Sequence, residues 1–254
     1  IGAYATYVVQ GLFQKFLPGA FDWYLVAAVP VAFGAAALMG AAMERSVLRF
    51  LYGRPLETLL ATWGLSLGLQ QVFRTFISPK EVSPTLPDWL MGSWAPQEGL
   101  DIPINGMFVM LLTLLVTVGV MVALYKSRWG LRVRATVSNR PMANATGINT
   151  KKTDRLTFAI GCGIAGIAGA AFTTIGSTGP TSGSLYIVDA FLVVTFGGAA
   201  SLLGTAASAF LIAQTQSISE FFMTGSMAKV FTLSIIVIVL MMRPQGLFVS
   251  KIRR

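Results

Sequence analysis

Among the polar side chains in apolar context, the candidates to hold a small solute are Gln70, Gln71, Thr173, Thr174, Thr178, Tyr186, Asp189, Thr195 and Gln214. Amides, hydroxyls and a carboxylate are the groups that hold a small polar solute by hydrogen bonds. Asp189 is the only acid inside the apolar runs from Leu156 onward, and an acid at membrane depth marks a functional site by default. A second reading puts Asp189 in the first turns of a helix beginning near Ser184, where an acid stabilises the helix dipole. Gln70 and Gln71 serve equally as interhelical hydrogen-bonding groups, and Thr173 and Thr174 as partners of their own helix's carbonyls.

Other chemistry is excluded. With no histidine and one cysteine, the chain has no intrachain disulfide, no His- or Cys-rich metal site and no histidine acid–base catalyst. Cys162 lies in GCGIAGIAG, where a small packed side chain is expected rather than a nucleophile. No G-x-x-x-x-G-K-[ST] phosphate loop occurs, so ATP is not held in that way.

The elements that must position these groups are membrane helices. The 254 residues are 54% hydrophobic and 11% charged, with a mean hydropathy of +0.69, whereas soluble domains carry roughly 25% charged residues. A bilayer span needs about 20 apolar residues. Apolar segments run over Ile1–Phe16, Tyr24–Ala42, Leu56–Ile77, Gly106–Tyr125, Leu156–Ile175, Tyr186–Gly197, Ser201–Ile218 and Ala228–Met242. The segment Tyr186–Gly197 is short, and the turn Gly198–Ala200 after it is uncharged. That pair reads as a re-entrant or broken-helix hairpin held within protein. The expected class is therefore all-α: a polytopic transmembrane helical bundle, one domain over residues 1–254, with no low-complexity linker. The sequence is apolar from Ile1 with no basic region before it, so a missing upstream stretch is expected. Small residues, Gly34 to Ala41, Gly161 to Ala170 and Gly204 to Ala207, are placed for close helix contact.

The net charge of +9 sits in short gaps between apolar runs, the pattern of cytoplasmic loops. Arg45, Arg49 and Arg54 lie in one gap. Lys126 to Arg155 holds eight basic residues against Asp154 alone, and the tail holds Arg243, Lys251, Arg253 and Arg254. These three regions are expected inside. Ser78 to Asn105, with one lysine, four acids, Trp89 and Trp94, is expected outside.

Within the large basic loop, Leu131–Ser138 suits a short helix. Arg140–Thr146 suits a second one, with Ser138 and Asn139 as caps, Pro141 in its first turn and Gly147 closing it. Met142 and Ala145 then share one apolar side. So short a helix is not stable alone, and a docked partner gives it a purpose. A plain positive-inside loop is the competing reading.

The motifs Leu131-Arg132-Val133-Arg134-Ala135, Asn139-Arg140-Pro141-Met142-Ala143, Gly147-Ile148 and Leu156-Thr157-Phe158 resemble the permease subunits of branched-chain amino-acid-type ABC importers, as do Glu44-Arg45 and Arg54-Pro55-Leu56. Tyr186-Ile187-Val188-Asp189, Phe196-Gly197-Gly198, Gly204-Thr205 and Arg243-Pro244-Gln245-Gly246-Leu247-Phe248 look most like the urea branch. Ala190 and Ala200-Ser201 depart from that branch, which often has Ser and Gly-Asn there. The resemblance implies a multi-pass bacterial inner-membrane protein that binds no cofactor and is not an enzyme. ATP would be bound by two partner subunits, with a second homologous permease and a periplasmic substrate-binding protein completing the importer. It also implies that Asn139, Arg140, Pro141, Met142, Ala143 and Gly147 couple to the ATP-binding subunit. Gln70, Gln71, Thr173, Thr174, Tyr186, Asp189 and Thr195 are then the candidates for a urea path. Branched-chain or short amino acids are the alternative cargo, and a passive small-solute channel the alternative mechanism.

Overall fold

The computed structural model describes residues 1–16, 18–51, 54–77, 79–97, 100–198 and 201–242. The tail motif from Arg243 onward and the turn residues Ala199 and Ala200 lie outside them. Each expected apolar segment is a helix: α1 (Gly2–Phe16), α2 (Tyr24–Met43), α4 (Pro55–Phe76), α5 (Ile104–Lys126), α8 (Thr150–Phe172), α9 (Ser182–Gly197), α10 (Leu202–Phe222) and α11 (Gly225–Met242). Short helices α3 (Arg49–Leu51), α6 (Arg128–Ser138) and α7 (Arg140–Ala145) complete the set. Among the described residues, four spans, Phe21–Leu51, Ile104–Lys126, Thr150–Phe172 and Gly225–Met242, are long and apolar enough to cross a membrane by length and composition. The all-α class holds. One small exception, in a stretch whose composition suggests only loop, is an antiparallel hairpin of β1 (Ser93–Gln97) and β2 (Leu100–Pro103).

Contacts group the chain into two units, Ile1–Pro180 and Thr181–Arg254. In the first, α2 packs most extensively on α8, with α1 against both. The small residues explain the closeness. A Cβ on Gly166 would lie 2.5 Å from the Ala32 carbonyl oxygen and 2.6 Å from the Ala36 Cβ. One on Gly40 would meet Cys162 Cβ and Sγ at 2.7 Å. Backbones approach this closely only where side chains are absent. Gly161 and Gly34, by contrast, have nothing within 4 Å of such a Cβ.

At one end of this unit Val9, Tyr24, Leu25, Ala28 and Leu90 form a buried cluster. The Tyr24 hydroxyl donates to the Thr85 carbonyl at 2.8 Å, and the Trp89 indole N–H donates to the Asp22 carbonyl at 2.7 Å. The 79–103 loop is thereby stitched to the start of α2. Val82 and Thr178 also pair through their backbones, so the loop is tied to the chain beyond α8.

In the second unit α10 packs on both α9 and α11. Gly197 and Gly204 meet closely, since a Cβ on Gly197 would lie 2.6 Å from the Gly204 carbonyl oxygen. Ser208 donates to the Val193 carbonyl at 2.7 Å. Gly198 ends α9 with φ +89°, a conformation that favours glycine. At 1.5 Å per residue, the 16 residues of α9 reach about 24 Å, less than the ~30 Å hydrocarbon core.

Candidate functional site

The 126–155 loop is built by its own local chemistry. Ser127 caps α6, accepting from the Gly130 N–H at 3.0 Å. Gly130 lets α6 fold back on the end of α5, because a Cβ there would sit 2.1 Å from the Leu124 carbonyl oxygen. Asn139 caps α7, accepting from the Met142 N–H at 3.1 Å, and Pro141 occupies the first turn. At the other end the Ile148 N–H bonds the Ala143 carbonyl and the Gly147 N–H bonds the Asn144 carbonyl, both at 3.0 Å. Gly147 has φ +83°. This is the paired closure of a Schellman motif. Asn149 then caps α8 through the Lys152 N–H at 3.0 Å, and Thr150 bonds Asn144 across the intervening turn.

α7 is therefore a formed helix with a defined inner and outer side. Ala143 is 3% exposed and faces its own chain, whereas Met142 is 62% exposed and Ala145 is exposed too. Arg140 is ion-paired with Asp154 on α8. On the next residue of α8, the Arg155 Nε donates to Glu44 Oε2 at 2.8 Å. Glu44 opens a π-helical segment, Glu44–Leu48, that continues α2, and such segments are frequent at functional sites. Two adjacent charges on α8 thus join α7 to the base of α2. Beside them, α6 and α8 flank an open, mainly apolar pocket of about 520 Å³, lined by Val133, Val137, Asp154, Phe158, Cys162 and Ala165 among others.

The solute-path candidates fall in both units. Gln70 and Gln71 lie on α4, with the Gln70 amide donating to Ser66 at 3.3 Å and Gln71 exposed. Thr173 and Thr174 are buried, and their hydroxyls bond the Ala170 and Ala171 carbonyls at 2.7 and 2.8 Å. Asn105 donates to the Thr174 carbonyl at 3.2 Å. Thr178 is buried with its hydroxyl unpartnered among the described residues. In the second unit Tyr186 is half exposed, Gln214 is exposed, and the Thr195 hydroxyl bonds its own helix at Phe191 and Leu192.

Asp189 corrects the dipole reading. α9 begins at Ser182, so Asp189 lies about two turns inside it, beyond the first turn where the dipole acts. Its partner is Lys229 on α11, with Nζ 3.1 Å from Oδ2. Lys229 was not among the expected site residues. The available signal was that each residue is a lone charge in its apolar run, and the two have opposite signs.

The model of the family described as branched-chain amino acid transport system, permease component, matches residues 1–240. The chain belongs to this family. The high-affinity branched-chain amino acid permease protein LivH is 25% identical over 258 residues in both Salmonella typhimurium and Escherichia coli K12, covering 97% of this chain and 82% of the relative. The corresponding protein BraD of Pseudomonas aeruginosa is 24% identical over 253 residues, with the same coverage. No solved structure matches. The family is one of transport permeases, not enzymes, and the chain is a multi-pass protein of the inner membrane. The match does not divide the urea branch from the rest.

Proposed function

We propose that this chain is a permease subunit of an ATP-driven importer for a small net-neutral nitrogenous solute, urea first. It works beside a second related permease, and receives solute from a binding protein. The observation that carries this reading is the formed helix α7, capped at both ends, with Met142 outward and Arg140 tied to α8. A passive channel has no need of such an element. When an ATP-binding subunit closes and pushes on α7, the Arg140–Asp154 pair carries the displacement to α8. The Arg155–Glu44 pair passes it to α2. In this reading Asn139, Pro141 and Gly147 keep the helix formed, and Met142 makes contact.

Urea is supported by the residues Tyr186 to Asp189 and Phe196 to Gly198. A second reading, branched-chain amino acids, is favoured by the similarity to LivH and BraD, which are branched-chain amino acid permeases. The test is uptake of labelled urea and labelled leucine by the assembled complex in vesicles, with and without ATP. ATP-dependent uptake of one of them is the expected result. Uptake that needs neither ATP nor the ATP-binding subunits would identify a passive channel and overturn the reading.

A further inference from the structure

We propose that Asp189 and Lys229 form a charge-matched filter that admits net-neutral solutes and turns away guanidinium-like cations. It rests on the importer reading above and names the chemistry that decides its cargo. Asp189 is the eighth residue of α9 and Lys229 the fifth of α11. At 1.5 Å per residue they lie about 10 Å and about 6 Å from the starts of their helices. By the loop-charge topology both helices start on the outer side, the side from which an importer takes its cargo.

The pair keeps unused bonding capacity. A carboxylate offers about four acceptor sites and an ammonium three donors, and the one contact between them, at 3.1 Å, uses Oδ2. Among the described residues, Oδ1 remains to receive N–H groups, and two ammonium hydrogens remain to give to a carbonyl or carboxylate. The chain itself does not cover either side chain, at 48% exposure for Lys229 and 38% for Asp189. Urea presents two NH₂ groups on one edge and a carbonyl opposite. An amino acid presents an ammonium and a carboxylate. Both match the spare groups, and both are net neutral.

Net neutrality is also what the pair selects. A bare carboxylate in an apolar run would draw cations, because charge interactions strengthen as the dielectric falls. Lys229 cancels that field at contact distance. Guanidinium has the shape of urea and one positive charge, so it reads the field alone. A purely structural clasp between α9 and α11 predicts something different: breaking it lowers yield and all solute binding alike, whichever partner is removed.

The experiment uses the purified permease–ATPase complex without its binding protein, so that only the permease selects. Saturation-transfer NMR reports binding of urea, leucine and guanidinium at millimolar concentration. Wild type is expected to bind urea or leucine and not guanidinium. Lys229→Gln is expected to raise guanidinium binding relative to the neutral solute by about tenfold or more, equivalent to 1.4 kcal/mol. Asp189→Asn is expected to lose the neutral solute without gaining guanidinium. Two results overturn the filter: guanidinium binding to wild type as strong as that of the neutral solute, which needs no variant to fold, or an unchanged ratio in an assembled Lys229→Gln complex. ATP-driven uptake by the intact wild-type importer, measured in parallel, tests the importer reading separately. A working importer with an unchanged binding ratio sinks the filter alone.

Discussion

Arg155 Nε sits 2.8 Å from Glu44 Oε2, and the Glu44 side chain is only 2% exposed. A buried carboxylate depends on its counter-charge, because desolvation is repaid only by the pair. Arg155→Ala removes the counter-charge and leaves the acid stranded. The expected loss is about 2–3 kcal/mol, somewhat below that for a fully enclosed pair, since Arg155 keeps solvent on one side. The double variant Glu44→Gln/Arg155→Met should recover most of it. Thermal unfolding midpoints in detergent decide this, and a double variant no better than Arg155→Ala would mean the pair is not what holds Glu44.

The α2–α8 seam predicts a contrast between two glycines of α8 five residues apart. Gly166→Ala must push against the Ala32 carbonyl and Ala36, and overpacking of this kind costs about 1–3 kcal/mol. Gly161→Ala meets nothing within 4 Å and should match wild type in yield and melting. Equal behaviour of the two would mean the seam is looser than drawn.

The positions of the helices were legible in the sequence because apolar length and turn chemistry are local properties. α7 shows this best: Asn139, Pro141 and Gly147 specify its start, first turn and end without reference to any distant residue. The ion pairs were not legible. Asp189 and Lys229 are 40 residues apart, and Glu44 and Arg155 are 111 apart. Their pairing follows from which helix faces meet. Loop charge counting used Arg155 only as a topology marker. The inward turn of Ala143 was equally hidden, because alanine suits either side of a short helix. The hairpin β1–β2 was missed for a related reason: Trp94, Pro96 and Pro103 read as loop residues.

Topology is open to direct labelling. Ser93 and Asn149 are both exposed, and the loop charges place them on opposite sides of the membrane. In a Cys162→Ala background, a membrane-impermeant thiol reagent applied to intact cells should label Ser93→Cys and spare Asn149→Cys until the cells are opened. The reverse pattern would invert the protein and remove α7 from the reach of a cytoplasmic ATPase.

The coupling role of α7 is tested on its outer side. Ala143 is buried in the chain itself, so Ala143→Glu would place a charge inside the protein and lower yield whatever α7 does. Met142 is the better probe, since its side chain is largely exposed and makes no hydrogen bond that folding needs. In a docked groove, truncating or charging a contact side chain costs one to several kcal/mol, or about tenfold in affinity for each 1.4 kcal/mol. Met142→Glu should therefore reach the membrane at the normal level while uptake falls at least about tenfold. Its partners' ATP hydrolysis should no longer respond to solute. Gly147→Ala should give a milder version of the same defect. It forces an L side chain to φ +83° at a cost of about 1–2 kcal/mol and loosens the Schellman closure of α7. A plain positive-inside loop predicts neither effect, because one acid among eight basic residues leaves the loop inside. ATPase and uptake measured together in the same vesicles separate the two accounts. Unchanged uptake in Met142→Glu at normal expression would take the coupling contact away from this helix.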